Sequence, residues 1–268
     1  GGPVTEADLI RSLNLSELLF EPGTRHDYSN TGYHMVVQII QHVTGQNYAQ
    51  LLKQNIVLPA KLLNTTVGPG KNVAEGYESE DLLTLHAIEL DAAQQPALLG
   101  AGGIFSTTGD LIRFVQAITD GRLLSAQMLA LMLTAEDVDN GNGTDGMGWT
   151  MYPAGPDVRL IAATGVSEGY MSFLAWKEDE PETRMAMLLN DTSLGRRGNN
   201  ALFMGMLNLM LGEDVPIEAP ETPLYSFLNI LLEDGQEAAI AYCEGLDWSH
   251  PPVANAAASQ ATGRPNGG

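Results

Sequence analysis

Tyr28-Ser29-Asn30 sets a phenol, a hydroxyl and a carboxamide on adjacent positions, after Phe20-Glu21-Pro22-Gly23-Thr24-Arg25-His26-Asp27 and ahead of Thr31-Gly32-Tyr33. Such groups give and take hydrogen bonds, and a phenol carries a proton that can be moved. The Pro22-Gly23 turn and the apolar residues beyond Asn30 put the three on a loop entering a helix, where polar side chains can face a cleft instead of a core. They also have a plainer use. Ser29, Asn30 or Thr31 can cap that helix by accepting from one of its first free N–H groups.

Other residue types capable of chemistry are sparse. The 5 histidines, His26, His34, His42, His86 and His250, form no His-x-x-x-His pair, and His34 and His42 are expected on or beside the solvent side of their helix. No metal site and no cofactor are expected. Cys243 is the single cysteine, so there is neither a disulfide framework nor a cysteine zinc cluster.

The elements that must position the turn follow from periodicity. Residues 5 to 19 suit one or two short helices. Met35, Val36, Ile39, Ile40 and Val43 then mark an amphipathic helix that Gly45 stops. A short helix over 47 to 58 should end at Pro59, and 64 to 98 reads as long connections with little regular structure. Thr107-Thr108-Gly109-Asp110 forms a capping box for a helix with Leu111, Phe114, Val115 and Ile118 on its buried side, ended by Asp120-Gly121. Another helix falls near 127 to 133.

From Gly146 the pattern becomes extended. Residues 146–152, 158–163, 170–177 and 184–190 are four short runs separated by turn residues, as in an antiparallel meander, with Met147, Met151, Met171, Met185 and Met187 as core filler. A helix over 199 to 211 should pack on the sheet. Thr222-Pro223 starts a further pair, 224 to 232 and 236 to 244, and the stretch from Pro251 has almost no core formers and is expected to be disordered. The fold class is α/β (α+β), an antiparallel sheet flanked by helices with a mostly helical region. Three parts are expected: a domain over 1–213, a helical tail over 214–250 and the disordered 251–268.

The 268 residues, 44% hydrophobic and 17% charged, suffice for a sizeable core. Their 33 acidic against 13 basic residues give a formal charge of -20, which repels phosphate backbones and anionic lipid, so nucleic acid is not an expected partner. No apolar run approaches the roughly 20 residues that span a bilayer. The first residue is Gly1 and not Met, which suggests a processed or truncated chain and leaves localisation open.

Three stretches in this order resemble the serine β-lactamase and penicillin-binding-protein superfamily, in particular its class C-like and esterase-like members. They are Phe20 through Tyr33, Gly102-Gly103-Ile104-Phe105-Ser106-Thr107-Thr108-Gly109-Asp110-Leu111, and Asp145-Gly146-Met147-Gly148-Trp149. The resemblance covers about residues 15 to 212 and implies that fold, here in part. It also implies a nucleophilic serine in Ser-x-x-Lys, a Tyr-x-Asn motif, and Lys-Thr-Gly or His-x-Gly on a strand at the cleft edge. A serine hydroxyl needs a base within reach, and its oxyanion needs preorganised N–H donors. Tyr28 matches the tyrosine that relays the serine proton, and Asn30 the residue that hydrogen-bonds the substrate. Thr164 and Gly165 match the third motif, with the Val166 N–H facing the oxyanion.

Two departures shape the expected function. Ala163 stands where the family has lysine or histidine, which removes a positive charge for a substrate carboxylate and favours ester, amide or peptide hydrolysis over β-lactam chemistry. The four lysines, Lys53, Lys61, Lys71 and Lys177, are preceded three residues earlier by Gln50, Leu58, Gly68 and Leu174, so no Ser-x-x-Lys exists. The expectation is a fragment of a serine hydrolase acting on an ester, amide, peptide or β-lactam bond through an acyl-enzyme, itself inactive, whose substrate is a small molecule or peptide. The alternative is a non-catalytic binding or sensor module. Family members are commonly bacterial and exported, which is all the resemblance implies about location. Oligomeric state stays open.

Overall fold

A computed structural model of the chain describes residues 17–79, 85–90, 99–134, 144–154, 158–167, 169–193 and 195–213, with four isolated residues besides. The short helices expected over 5 to 19 lie almost wholly outside the described residues. So does most of the helical pair expected over 224–244, and all of the stretch from Pro251.

A five-stranded antiparallel sheet carries the fold, in the order β5-β6-β7-β8-β9. The strands are β5 (Thr144–Asp145), β6 (Thr150–Pro153), β7 (Arg159–Ser167), β8 (Tyr170–Lys177) and β9 (Arg184–Leu189). Alternation along them feeds two cores, because successive side chains of a strand point to opposite faces. Ile161, Leu174 and Trp176 join Val115, Ile118, Leu133, Trp149 and Met151 on one face. Leu160, Ala162, Phe173 and Ala175 meet Leu207 and Met210 on the other. Burying side chains of this size is worth about 1.5–3 kcal/mol each. Trp149 and Trp176 meet edge-on at 4.5 Å, and Phe173 meets Phe203 at 5.0 Å. The result is a mixed fold of helices about an antiparallel sheet, as the sequence pattern predicts.

The helices are α1 (Asn30–Thr44), α2 (Tyr48–Leu52), α3 (Leu58–Ala60), α4 (Thr108–Thr119), α5 (Ala126–Met132) and α6 (Gly195–Met210). The helix over 47 to 60 does not end before Pro59. A π-helical turn, Lys53–Val57, joins α2 to α3, and the Leu58 N–H reaches back five residues to the Lys53 carbonyl. That wider turn carries the chain through a residue lacking an N–H, and Lys61 ends it with φ 57.

The region read as irregular also holds strands: β1 (Thr66–Val67), β2 (Gly76–Glu78) and β3 (His86–Ile88). β1 pairs with β4 (Ile104–Phe105), and β2 pairs with β3. They are two or three residues long, too short for a period to register. Within the run expected to be extended over 146–152, Gly146 to Trp149 instead form a tight turn between β5 and β6, and Met147 there is exposed. Met151 and Met171 are core residues as expected.

In α1 the buried positions are His34 and Val37. Met35, Val36, Ile39, Ile40 and Val43, the stripe that marks the helix in the sequence, face outward. His34 thus stands opposite to its expected solvent side, with Nε2 3.1 Å from Gln38 Nε2. The reason is the loop packed on the other flank of α1. A side-chain carbon at Gly100 would lie 2.6 Å from the Tyr33 carbonyl oxygen and from Val37 Cγ2, so the loop's backbone occupies that flank.

Candidate active site

Ser29 caps α1, its Oγ accepting from the Gly32 N–H at 3.0 Å. With Ser29 so engaged, its neighbours turn to each other: the Tyr28 hydroxyl donates to Asn30 Oδ1 at 2.9 Å. Tyr28 is 76% exposed, so the phenol stands at the surface and not in the core. The cap and the exposed pair coexist on one turn.

The loop ahead of the turn is tied to the sheet. His26 Nε2 lies 3.8 Å from Asp145 Oδ2, and Asp145 Oδ1 accepts from Thr150 Oγ1 at 2.7 Å. Asp145 pairs in register with Thr150, and Thr150 with Ala162. The tether therefore reaches the sheet two residues from Thr164. Behind the turn, Tyr33 meets the loop just ahead of the second motif and the third motif itself. Gly100 packs on its backbone, and a side-chain carbon at Gly148 would stand 3.7 Å from its hydroxyl. Gly148 has φ 82, which suits glycine in the Asp145-to-Trp149 turn.

Thr164, Gly165 and Val166 occupy consecutive positions on β7 opposite Phe173, Ser172 and Met171 of β8. Pairing with β6 stops at Ala162. Beyond it β7 runs on with its β6-side edge unpaired among the described residues, and Val166 is 65% exposed. A side-chain carbon at Gly165 would lie 2.7 Å from Ser172 Oγ, so a larger residue there would require the serine side chain to turn away. Ala163 packs against the core that holds Trp149 and Trp176. No hydrogen bond joins Tyr28 or Asn30 to Thr164, Gly165 or Val166, so the structure pairs the first two directly and sets the last three side by side on one strand.

The hairpin of β2 and β3 lies across the turn from β7 to β8. The Tyr170 hydroxyl donates to the Ala74 carbonyl at 2.8 Å, and Asn190 Nδ2 donates to the Glu75 carbonyl at 2.7 Å. Asp110 anchors the remaining motif differently from a capping residue. Thr107 is the cap, its Oγ1 accepting from the Asp110 N–H at 3.2 Å. The fully buried Asp110 carboxylate instead accepts from the Leu63 and Asn64 N–H groups at 3.3 and 2.7 Å, from Thr65 Oγ1 at 2.8 Å and from Arg113. Burial alone would raise its pKa, but the Asn64 N–H, Arg113, Thr65 and the Leu63 N–H together hold it below the ordinary value. His26 with Asp145, and Asp110 with the segment 63–65, carry no local sequence signal, because their partners are distant in the chain. Among the described residues no group of three or more His, Cys, Asp or Glu stands together as a metal cage would require.

The chain matches the family described as Beta-lactamase over residues 1–204. It is 27% identical over 265 residues to penicillin-binding protein 4* of Bacillus subtilis, covering 87% of this chain and 56% of that protein. A solved D-amino acid amidase from Ochrobactrum anthropi, complexed with L-phenylalanine amide, superposes with a TM-score of 0.62 at 22% identity, covering 79% of this chain and 65% of its own. A D-stereospecific amidohydrolase from Streptomyces superposes with a TM-score of 0.60 at 26% identity, covering 70% and 56%. The chain spans about half the length of the curated relative it matches over most of its own.

Proposed function

The chain belongs to the beta-lactamase family, and from that premise we propose that it is the C-terminal part of a serine hydrolase that cleaves an ester, amide or peptide bond through an acyl-enzyme. The observation that carries this reading is the Tyr28–Asn30 pair, exposed on a turn that His26 and Asp145 tie to the sheet near where β7 runs on past β6, paired there with β8 alone among the described residues. In this proposal a serine from a part of the parent outside this chain attacks the substrate carbonyl. Tyr28 takes the serine proton and passes it to the leaving group, Asn30 hydrogen-bonds the substrate, and the Val166 N–H faces the oxyanion beside Thr164 and Gly165. Water then releases the acyl group. The two solved relatives whose names specify an amidase and an amidohydrolase support an amide substrate. Ala163 supports a substrate without a carboxylate at that position.

Ala163 also favours a second reading, a cleft kept for binding without catalysis. Labelling with a fluorophosphonate probe separates the two. The chain alone is expected to remain unlabelled, and the protein translated from the upstream coding sequence through this chain to label stoichiometrically at a Ser-x-x-Lys serine. An unlabelled longer protein lacking that motif would establish the binding module, and labelling of the chain alone would refute the missing nucleophile.

A further inference from the structure

Two demands on β7 conflict. The proposed chemistry needs the edge that β6 leaves free beyond Ala162 among the described residues, so Thr164, Gly165 and Val166 have no strand beside them there. β8 holds them on the other side only, in a pairing that closes with Ser167 opposite Tyr170. A strand end held on one side moves with its turn, whereas an oxyanion donor acts only when its position is fixed in advance. The turn itself therefore needs a hold.

The hairpin of β2 and β3 supplies one, and its own anchorage is independent of β7. The Tyr77 N–H donates to the Asn190 carbonyl at 2.9 Å, and the Tyr77 carbonyl accepts from the Thr192 N–H at 3.0 Å, which fastens β2 to the chain leaving β9. Asn190 Nδ2 adds its bond to the Glu75 carbonyl. From that base the hairpin presses on the turn. A side-chain carbon at Gly169 would lie 2.7 Å from Ile88 Cγ1 and 2.9 Å from the Tyr77 nitrogen, and one at Gly76 would lie 2.6 Å from the Tyr170 ring. The ring alone fills the space over Gly76. Its hydroxyl adds a directional bond, donated at 2.8 Å to the Ala74 carbonyl, 96 residues away in the chain.

We propose that Tyr170 is a positioning residue for the oxyanion site: through its hydroxyl the β2–β3 hairpin fixes the β7–β8 turn, and through that turn the Val166 N–H. The proposal deepens the hydrolase reading and rests on it, but the mechanical link from hairpin to β7 has a readout of its own. Tyr170 acts through the strand and touches no reacting atom.

In the chain alone, Tyr170→Phe is expected to speed hydrogen exchange at residues 164–167 about five- to tenfold, the effect of one lost hydrogen bond on local opening. Residues 159–162, which β6 also holds, should change less than about twofold and the unfolding temperature by no more than a few degrees. Unchanged exchange at 164–167 would overturn the proposal. So would a rise shared equally by 159–162, which would make the hydroxyl a general stability contact. In the longer protein, Tyr170→Phe is expected to lower the rate of fluorophosphonate labelling about tenfold, because the probe's phosphoryl oxygen must enter the oxyanion position. Gly76→Ala pushes on the same ring, so its loss and that of Tyr170→Phe should not multiply in the double variant. A wild-type labelling rate in Tyr170→Phe, or losses that multiply, would overturn the assignment. A longer protein that never labels would refute the hydrolase reading, and exchange at 164–167 would then decide by itself whether the hairpin holds β7.

Discussion

His26 Nε2 and Asp145 Oδ2, 3.8 Å apart, join the loop that carries Tyr28 to the first strand of the sheet. Both side chains are partly exposed, at 45 and 27%, so the pair adds at most about 1 kcal/mol to stability. Its consequence is position. His26→Ala is expected to leave the unfolding temperature within a few degrees of the parent while residues 17–29 are cleaved faster by a protease. Limited proteolysis read by mass spectrometry checks this, and an unchanged cleavage rate would show that the loop is held by other contacts.

Asp110 is a stability element. Its carboxylate holds the segment 63–65 against the start of α4, and removing it leaves two backbone N–H groups and the Arg113 guanidinium without their acceptor. Asp110→Ala is expected to destabilise the fold by about 3–5 kcal/mol, measured by urea unfolding. The pH dependence has a definite sign. The folded pKa is held below the unfolded one, so this stabilisation is present in full above the unfolded value and is lost as pH falls through the folded value. The variant's deficit should therefore shrink in acid.

Gly100 has φ 87 and packs against Tyr33 and Val37 of α1. Any side chain there meets both a backbone penalty and an occupied space. Gly100→Ala is expected to cost about 2–3 kcal/mol, again by urea unfolding, whereas Gly205→Ala, with nothing within 4 Å, should be neutral or stabilising.

The elements legible in the sequence were those with long periods or local caps. β8 and β9 fall within a residue of their predicted spans, and Ser29, Gly45 and Thr107 act as the helix signals they resemble. What was not legible depends on distant partners. The period of α1 marks an apolar stripe but not which flank is buried, and the loop at Gly100 decided in favour of His34 and Val37. The short β1 to β4 exist because they pair across the chain, and Asp110 reads locally as a cap because nothing in its neighbourhood announces Asn64. Tyr28 and Asn30 were legible as neighbours; their tether through His26 was not.

Tyr28 gives the most direct test of the proposed chemistry, because its geometry separates catalysis from folding. The phenol is 76% exposed and donates only to Asn30, so losing the hydroxyl should leave stability nearly unchanged. If it relays the serine proton in the longer protein, Tyr28→Phe should lower kcat by about 100-fold or more with little change in KM, since proton transfer acts on the transition state and not on substrate binding. A thermal melt and steady-state kinetics on an ester or D-amino acid amide read the two effects independently. Wild-type kcat in Tyr28→Phe would remove the tyrosine from the mechanism, and a loss of stability matching the loss of rate would reduce it to a structural turn residue.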